Sequence, residues 1–442
     1  MYLKRKIDAF LEEWKADGKR KPLIVKGSRQ IGKTESILHF AANHYENIIE
    51  INFVRDEKYK GIISDGYEAS GIIKNISLLD PSRKFVPGKT LIFFDEITEF
   101  PEIATSLKFF CIDGRFDVIC SGSMLGVNYK RIESNSVGYK KDYEMFSMDF
   151  EEFLWAIGDE VSTGTIKMLM EKKRPAGNSI HRSLMRTFRL YMLIGGMPQA
   201  IETYLEQNNL QAVDEIKRDI VDLYEEDFTK IDPSGLAGDI YDAIPANLSG
   251  NASRYVLSSA REGTRSGQVR DLLPDMLSSY TVNIAYHANN PGVGMALEKD
   301  AGRYKLFTSD VGLFVTLAFR DKNYTENTIY NKLLSDKLEA NLGYVYENVV
   351  AQMLVAKGNN LFYYTMESDS SNHLYEIDFL TSVGNKICPI EVKSGNYRGH
   401  KSLDVFCDKF RRRIGEKYVF HTKDYKRENG ISYIPVYMVP FL

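Results

Sequence analysis

The chain has 442 residues, 43% of them hydrophobic and 26% charged, with a formal net charge of −3. That length exceeds one ordinary core and suggests about two to four domains of an ordinary soluble globular protein. The near-neutral balance excludes a global field that would drive the chain onto nucleic acid or membrane, so any such contact must be a local patch.

Residues 3–17 read as an amphipathic helix, with Leu3, Ile7, Phe10, Leu11 and Trp14 at helical spacing. The apolar run Leu23-Ile24-Val25 then leads into Gly27-Ser28-Arg29-Gln30-Ile31-Gly32-Lys33-Thr34, a complete G-x-x-x-x-G-K-T phosphate-binding loop. Gly27 and Gly32 let the backbone curl so that its N–H groups face phosphate oxygens. The helix that follows offers its positive end to the anion. Lys33 reaches the β- and γ-phosphates of ATP, and the Thr34 hydroxyl ligates Mg²⁺. A chance match in a turn is the competing reading; a strand before and a helix after count against it.

A strand at 48–53 follows, and then Thr90-Leu-Ile-Phe-Phe-Asp95-Glu96. A short apolar run ending in acid is the pattern of a buried parallel strand. Asp95 would sit beside the loop and hold Mg²⁺ through water. Glu96 would polarise the attacking water as general base. Two acids after a strand also serve as helix caps, and only the loop upstream tips the balance. The strand 116–120 ends in Ser121-Gly122-Ser123. Either serine is placed to touch the γ-phosphate or the water, and either equally suits a plain turn. Strands alternating with helices imply a doubly wound parallel sheet.

The polar segment 126–142 reads as a loop, and a helix begins near Asp149. From about 180 to 230 the pattern is helical, with one helix stopping at Gly195-Gly196-Met197-Pro198 and another running from about Leu210 to Phe228. Two helical stretches at 240–248 and 266–280 precede strands at 282–287 and 303–307, an order that resembles a winged helix. Arg254, Arg261, Arg265 and Arg270 give that region positive charge, offset by Asp271, Asp275 and Glu298. A solvated helix face explains the arginines as well as a DNA surface does.

The last hundred or so residues carry a helix at 338–355 containing Glu347, a strand at 361–365, and two further strands, 376–380 and 388–393. A turn at 384–385 would bring Asp378 beside Glu391, with Lys393 on the same face as Glu391. Asp plus Glu-x-Lys on adjacent strands is a Mg²⁺ nuclease arrangement, in which carboxylates hold the metal and lysine orients the water. Glu347 is a further candidate ligand. An edge hairpin with surface acids is the alternative. Cys111, Cys120, Cys388 and Cys407 show no metal-ligand spacing, which suits reduced thiols in a cytoplasmic protein. No apolar signal segment opens the chain and no apolar run is long enough to span a membrane.

These pieces in this order resemble a large prokaryotic family of AAA-type ATPases with a C-terminal domain of the PD-(D/E)xK nuclease type. The resemblance rests on Gly27–Thr34, Phe93–Glu96, Ser121–Ser123, Phe150–Leu154, Gly195–Pro198, Lys305–Leu313, Glu376–Leu380 and Pro389–Ser394. It implies an α/β fold: a P-loop doubly wound parallel sheet, then a helical and winged-helix region, then a smaller α/β nuclease-like domain. The expected boundaries are 1–178 for the ATPase domain, 179–237 for a helical lid, 238–328 for the winged-helix-like region and 329–442 for the nuclease-like domain. It implies an ATPase with Lys33, Thr34, Asp95 and Glu96 in the usual roles; the reading drawn from the whole chain takes ATP and Mg²⁺ as cofactors, DNA and a second copy of the chain as candidate partners, and no membrane. The family commonly has a Gly-Arg pair after the third strand, a trans-acting arginine; here the stretch is Gly138-Tyr139-Lys140-Lys141. If this chain uses such a finger, Lys140 or Arg131 replaces it, from within the chain or from a neighbouring subunit. A different class of reading remains beside this one: a nucleotide-switched interaction protein with slow hydrolysis and an inactive nuclease-like scaffold.

Overall fold

The computed structural model describes residues 1–123, 136–250, 253–320, 327–334, 343–368, 371–395 and 397–442. The chain divides into two compact units, one of residues 1–146 with 274–280, the other of residues 147–273 with 281–442. No helix among the described residues is long and apolar enough to cross a membrane.

The first unit is built on a five-stranded sheet. Its strands are β1 (Leu23–Lys26), β2 (Asn47–Asn52), β3 (Thr90–Asp95), β4 (Asp117–Gly122) and β5 (Lys141–Glu144), in the order β2-β3-β4-β1-β5. Every pairing is parallel. A parallel strand covered on both faces must be apolar along its whole length, and all of β3 is buried. Ile51, Phe94, Ile72, Leu107 and Phe110 share one core with their neighbours, packed between the sheet and the helices Ala69–Leu79 and Leu107–Asp113. Because all five strands run the same way, the residues that leave β1, β3 and β4 emerge along one edge, where ligands of such sheets bind.

β5 begins in the last two residues of the segment expected as loop, 126–142, and runs past it. Its sequence, Lys-Asp-Tyr-Glu, has no apolar face to announce a strand. It forms because it is an edge: β1 supplies one row of backbone partners, and its charged side chains point to water.

The second unit joins helices to an eight-stranded sheet. The helix Phe150–Ala156 starts at Asp149, whose carboxylate accepts the Glu152 N–H at 3.0 Å while Glu152 accepts the Asp149 N–H at 3.2 Å, a reciprocal cap. The helices Asn178–Ile194, Pro198–Gln207 and Leu210–Ile231 follow. Gly196 sits against Met148 so closely that an added Cβ would meet its carbonyl oxygen at 2.0 Å. Asp310 accepts the Gly196 N–H at 2.7 Å, and fully buried Lys217 donates to Leu193 O at 2.7 Å. Three of the stretches that carry the family resemblance, at 150–154, 195–198 and 305–313, thus flank one junction where main chains touch.

The sheet comprises β6 (Val282–Ala288), β7 (Lys299–Thr308), β8 (Leu361–Ser368), β9 (Ser371–Val383), β10 (Lys386–Lys393), β11 (Lys417–His421), β12 (Lys426–Glu428) and β13 (Ile431–Pro435), ordered β12-β13-β11-β10-β9-β8-β6-β7. The hairpin β6–β7, expected as the wing of a winged helix, is not free. β6 pairs in parallel with β8, Ala285 opposite Leu361 and His287 opposite Tyr363. A lone two-stranded hairpin is marginal in water, and joining the C-terminal sheet satisfies the second edge of β6.

Candidate functional site

The phosphate loop leaves β1 at Gly27, whose φ of 152° and contact with Met145 leave no room for a side chain: a Cβ would lie 2.2 Å from the Met145 carbonyl oxygen. Gln30 and Gly32 take left-handed backbones, with φ of 64° and 88°, and this curl lets the helix Lys33–His44 begin directly behind the loop. Arg5, buried at the start of the helix Lys6–Ala16, donates to Ile31 O and to Phe146 O at 2.7 Å. The loop is thereby pinned from outside by a residue that no local motif marks.

Lys33 folds back over the loop and donates to Gly27 O at 3.0 Å and Ser28 O at 2.7 Å. Three groups converge on the buried Asp95 carboxylate. The Thr34 hydroxyl lies 3.1 and 3.2 Å from its two oxygens, the Asn52 amide donates at 2.9 Å, and the Ser121 hydroxyl donates from the end of β4. Asn52 was not foreseen. Its signal was a polar residue closing β2, which the parallel register sets opposite Asp95. Ser123 lies just past β4, also buried.

Glu96 follows with a left-handed backbone, φ 52° and ψ 48°, a conformation that a non-glycine residue keeps only under constraint. Burial raises its carboxyl pKa, opposed by the Lys33 ammonium, while the Asp95 charge raises it further. Burial pushes Lys33 down to about 8, and Glu96 and Asp95 hold it up against that fall. Lys33, Asp95, Glu96 and Arg29 therefore share one electrostatic neighbourhood. Hard oxygen ligands in the form of one carboxylate and one hydroxyl, with the rest left to phosphate and water, suit Mg²⁺.

Lys140 is not brought to the loop within the chain. It precedes β5, whose first residue, Lys141, stands opposite Leu23 at the start of β1. The loop leaves the other end of β1, roughly 13 Å away at the usual rise per strand residue. Lys140 instead pairs with Asp142 at 2.6 Å. Arg131 lies outside the described residues.

In the second unit, β9 and β10 are antiparallel, with Ile390 opposite Phe379, and Asp378 comes beside Glu391 as the spacing requires. Asp378 accepts the Val392 N–H at 2.6 Å, Glu391 accepts the Leu403 N–H at 3.1 Å, and Lys393 Nζ lies 3.2 Å from Glu391 Oε2. Burial raises all four carboxyls here: Glu347 to about 8, Glu391 to about 7, and Asp378 and Glu376 above their ordinary range. The unforeseen member is Lys305 on β7. It is buried, hydrogen-bonded to Glu376 and 3.9 Å from Glu347.

Two lysines thus stand among four acids, and backbone N–H groups already occupy one oxygen each of Asp378 and Glu391. Among the described residues no group of three or more His, Cys, Asp or Glu side chains is arranged to hold a metal ion. Lys305 stands against Glu347 and Glu376 and would compete with a cation there, while among the described residues buried Glu391 Oε2 faces only Lys393.

Residues 19–154 match the family model described as an AAA domain, and the loop, Asp95 and Glu96 lie within the matched stretch. Residues 185–324 and 342–439 match two models described as domains of unknown function, DUF8612 and DUF4143. No curated protein matches the sequence. Among solved structures, C. elegans PCH-2 is 12% identical, covering 47% of this chain and 66% of that one, at a TM-score of 0.26. The Thermotoga maritima RuvB Holliday junction branch migration motor is 16% identical over 63% of this chain and 87% of its own, at 0.28. The Aeropyrum pernix ORC2 protein in its ADP form is 11% identical over 77% and 96%, at 0.32. Likeness at TM-scores this low says nothing of what the chain does.

Proposed function

We propose that this AAA-domain chain is a Mg²⁺-dependent ATPase that couples hydrolysis to a conformational change and acts on DNA. The observation that carries the reading is the Asp95 carboxylate, which gathers Thr34, Asn52 and Ser121 beside Lys33 and Glu96. The backbone of Gly27–Thr34 wraps the phosphates and Lys33 transfers its hydrogen bonds from the loop carbonyls to the β- and γ-oxygens. Thr34 and Asp95 would hold Mg²⁺, which would supply counter-charge to the phosphates. Glu96 takes a proton from water as its oxygen bonds to the γ-phosphorus, and the bond to the β-phosphate oxygen breaks to leave ADP. Ser121 and Ser123 stand at the end of the neighbouring strand to orient that water. Phosphate release by the full chain, with and without duplex DNA, tests the reading. Mg²⁺-dependent turnover stimulated by duplex is expected; tight ATP binding with negligible turnover under both conditions would contradict it.

Lys305 favours a scaffold, rather than a cutting, role for the C-terminal sheet. A lysine ammonium supplies the counter-charge that the acids require. Removing one member of such a buried cluster typically destabilises by about 3–5 kcal/mol. Lys305→Met is therefore expected to lower stability by about 3 kcal/mol at pH 9 and by less at pH 6, because the freed carboxyls can take up protons at the lower pH. Denaturant unfolding at both values measures it. If millimolar Mn²⁺ stabilises the unaltered protein as much as the variant, a cation and not Lys305 is the native counter-charge.

A further inference from the structure

Apart from the loop and the acid cluster, the second unit holds an open cleft of about 420 Å³, to which Arg254, Ser258, Thr264, Ser266, Arg270 and Gly302 contribute. Among the described residues no aspartate or glutamate lines it, and Asp300 adjoins it. The four arginines of this region, equivalent in the sequence, separate in the structure. Arg261 is spent on Asp239 at 2.6 Å and on Ser234 O. Arg254 and Arg270 line the cleft, both are exposed, and neither forms an ion pair among the described residues.

The floor is firm. Tyr255 and Tyr304 stack at 6.3 Å and 15°, and the Tyr255 N–H donates to Tyr304 O at 2.6 Å. The Tyr255 hydroxyl donates to Ile240 O at 2.8 Å, and the Val256 N–H to Asn247 Oδ1 at 2.7 Å. These bonds fix the segment that carries Arg254. Arg270 rides on the helix Ser266–Ser278, anchored by buried Val269 and Leu273 on either side of it.

We propose that this cleft grips the phosphodiester backbone of duplex DNA; the proposal rests on the reading of DNA as the chain's target. Two planar guanidiniums with free donors match phosphate oxygens, and the hydroxyls of Ser258, Thr264 and Ser266 are of the kind that bond phosphate and sugar. Arg254 and Arg270, without ion-pair partners among the described residues, separate this face from one whose charges are already spent, although Asp300 stands at its edge, accepting the Gly302 N–H at 2.9 Å. The contact is to the backbone, so it carries no sequence preference.

The test is binding of a labelled duplex to the full chain by fluorescence anisotropy at several salt concentrations. Arg254→Ala/Arg270→Ala is compared with Arg261→Ala, whose guanidinium is already engaged. The double variant is expected to bind roughly tenfold or more weakly for duplexes of any composition, with a salt slope reduced by about 2. Its ATP turnover without DNA and its melting temperature stay unchanged, and Arg261→Ala binds as the unaltered protein does. Equal affinity and salt slope for the double variant, with the unaltered chain binding well, would overturn the cleft assignment and leave the DNA reading standing. No duplex binding by the unaltered chain would overturn both. Displacement by poly-glutamate as effective as by unlabelled duplex would overturn nucleic acid as the ligand.

Discussion

Lys33→Ala is expected to abolish ATP binding. The ammonium is buried and held by Gly27 O and Ser28 O at 3.0 and 2.7 Å, so it is already ordered where phosphates would lie. Charge-assisted hydrogen bonds contribute about 1.5–3 kcal/mol each, and losing those to two phosphates corresponds to at least about a hundredfold in affinity. The same lysine predicts a pH dependence. Burial lowers its pKa to about 8, against the pull of Glu96 and Asp95. Phosphate holds it protonated. Below about pH 8 both states carry the proton and affinity is flat from this group; above it, binding must take up a proton and affinity falls up to about tenfold per pH unit. Calorimetric titration between pH 7 and 9.5 measures both effects. Unchanged affinity in the alanine variant, or a flat profile to pH 9.5, would remove Lys33 from the phosphate site.

Glu96→Gln is expected to bind ATP normally and hardly turn it over. Glutamine keeps the shape but cannot accept a proton from water, and a positioned general base contributes about 10²–10⁴ in rate. The raised carboxyl pKa suits the role, since a base that holds protons more readily takes one more easily from water. Glu96 holds the N-cap position of the short helix Ile97–Glu99, but its side chain makes no capping hydrogen bond, and its charge acts on Lys33. Single-turnover phosphate release separates the outcomes: loss of the chemical step with retained binding fits the base, and near-normal release would mean that the water is activated elsewhere.

The phosphate loop was legible in the sequence because its chemistry is local. Eight consecutive residues supply the glycines, the lysine and the threonine, and the required geometry follows from their spacing alone. Asp95 was legible for a similar reason, since a wholly apolar strand ending in acid has few other uses. What escaped depends on contacts between distant segments. Arg5 reaches Ile31 and Phe146 across 26 and 141 residues, and Lys305 reaches Glu376 across 71. No periodicity connects them. β5 escaped because an edge strand of charged residues reads as loop, and its register with β1 keeps Lys140 away from the loop of its own chain. The β6–β7 hairpin was legible as two strands and a turn, but its docking on β8 is a choice of partner that alternation does not encode. The acid cluster lies between these cases: β9 and β10 brought Asp378 and Glu391 together as expected, while Lys305 altered what their meeting means.

The most direct measurement of the central claim is inorganic phosphate release from ATP by the full chain in Mg²⁺ and in EDTA, with Glu96→Gln alongside. Sustained release in Mg²⁺ is the predicted result, falling to background in EDTA and by about 10²–10⁴ in the variant. Release equal in all three, or none in Mg²⁺ whether or not the chain binds ATP, would contradict it.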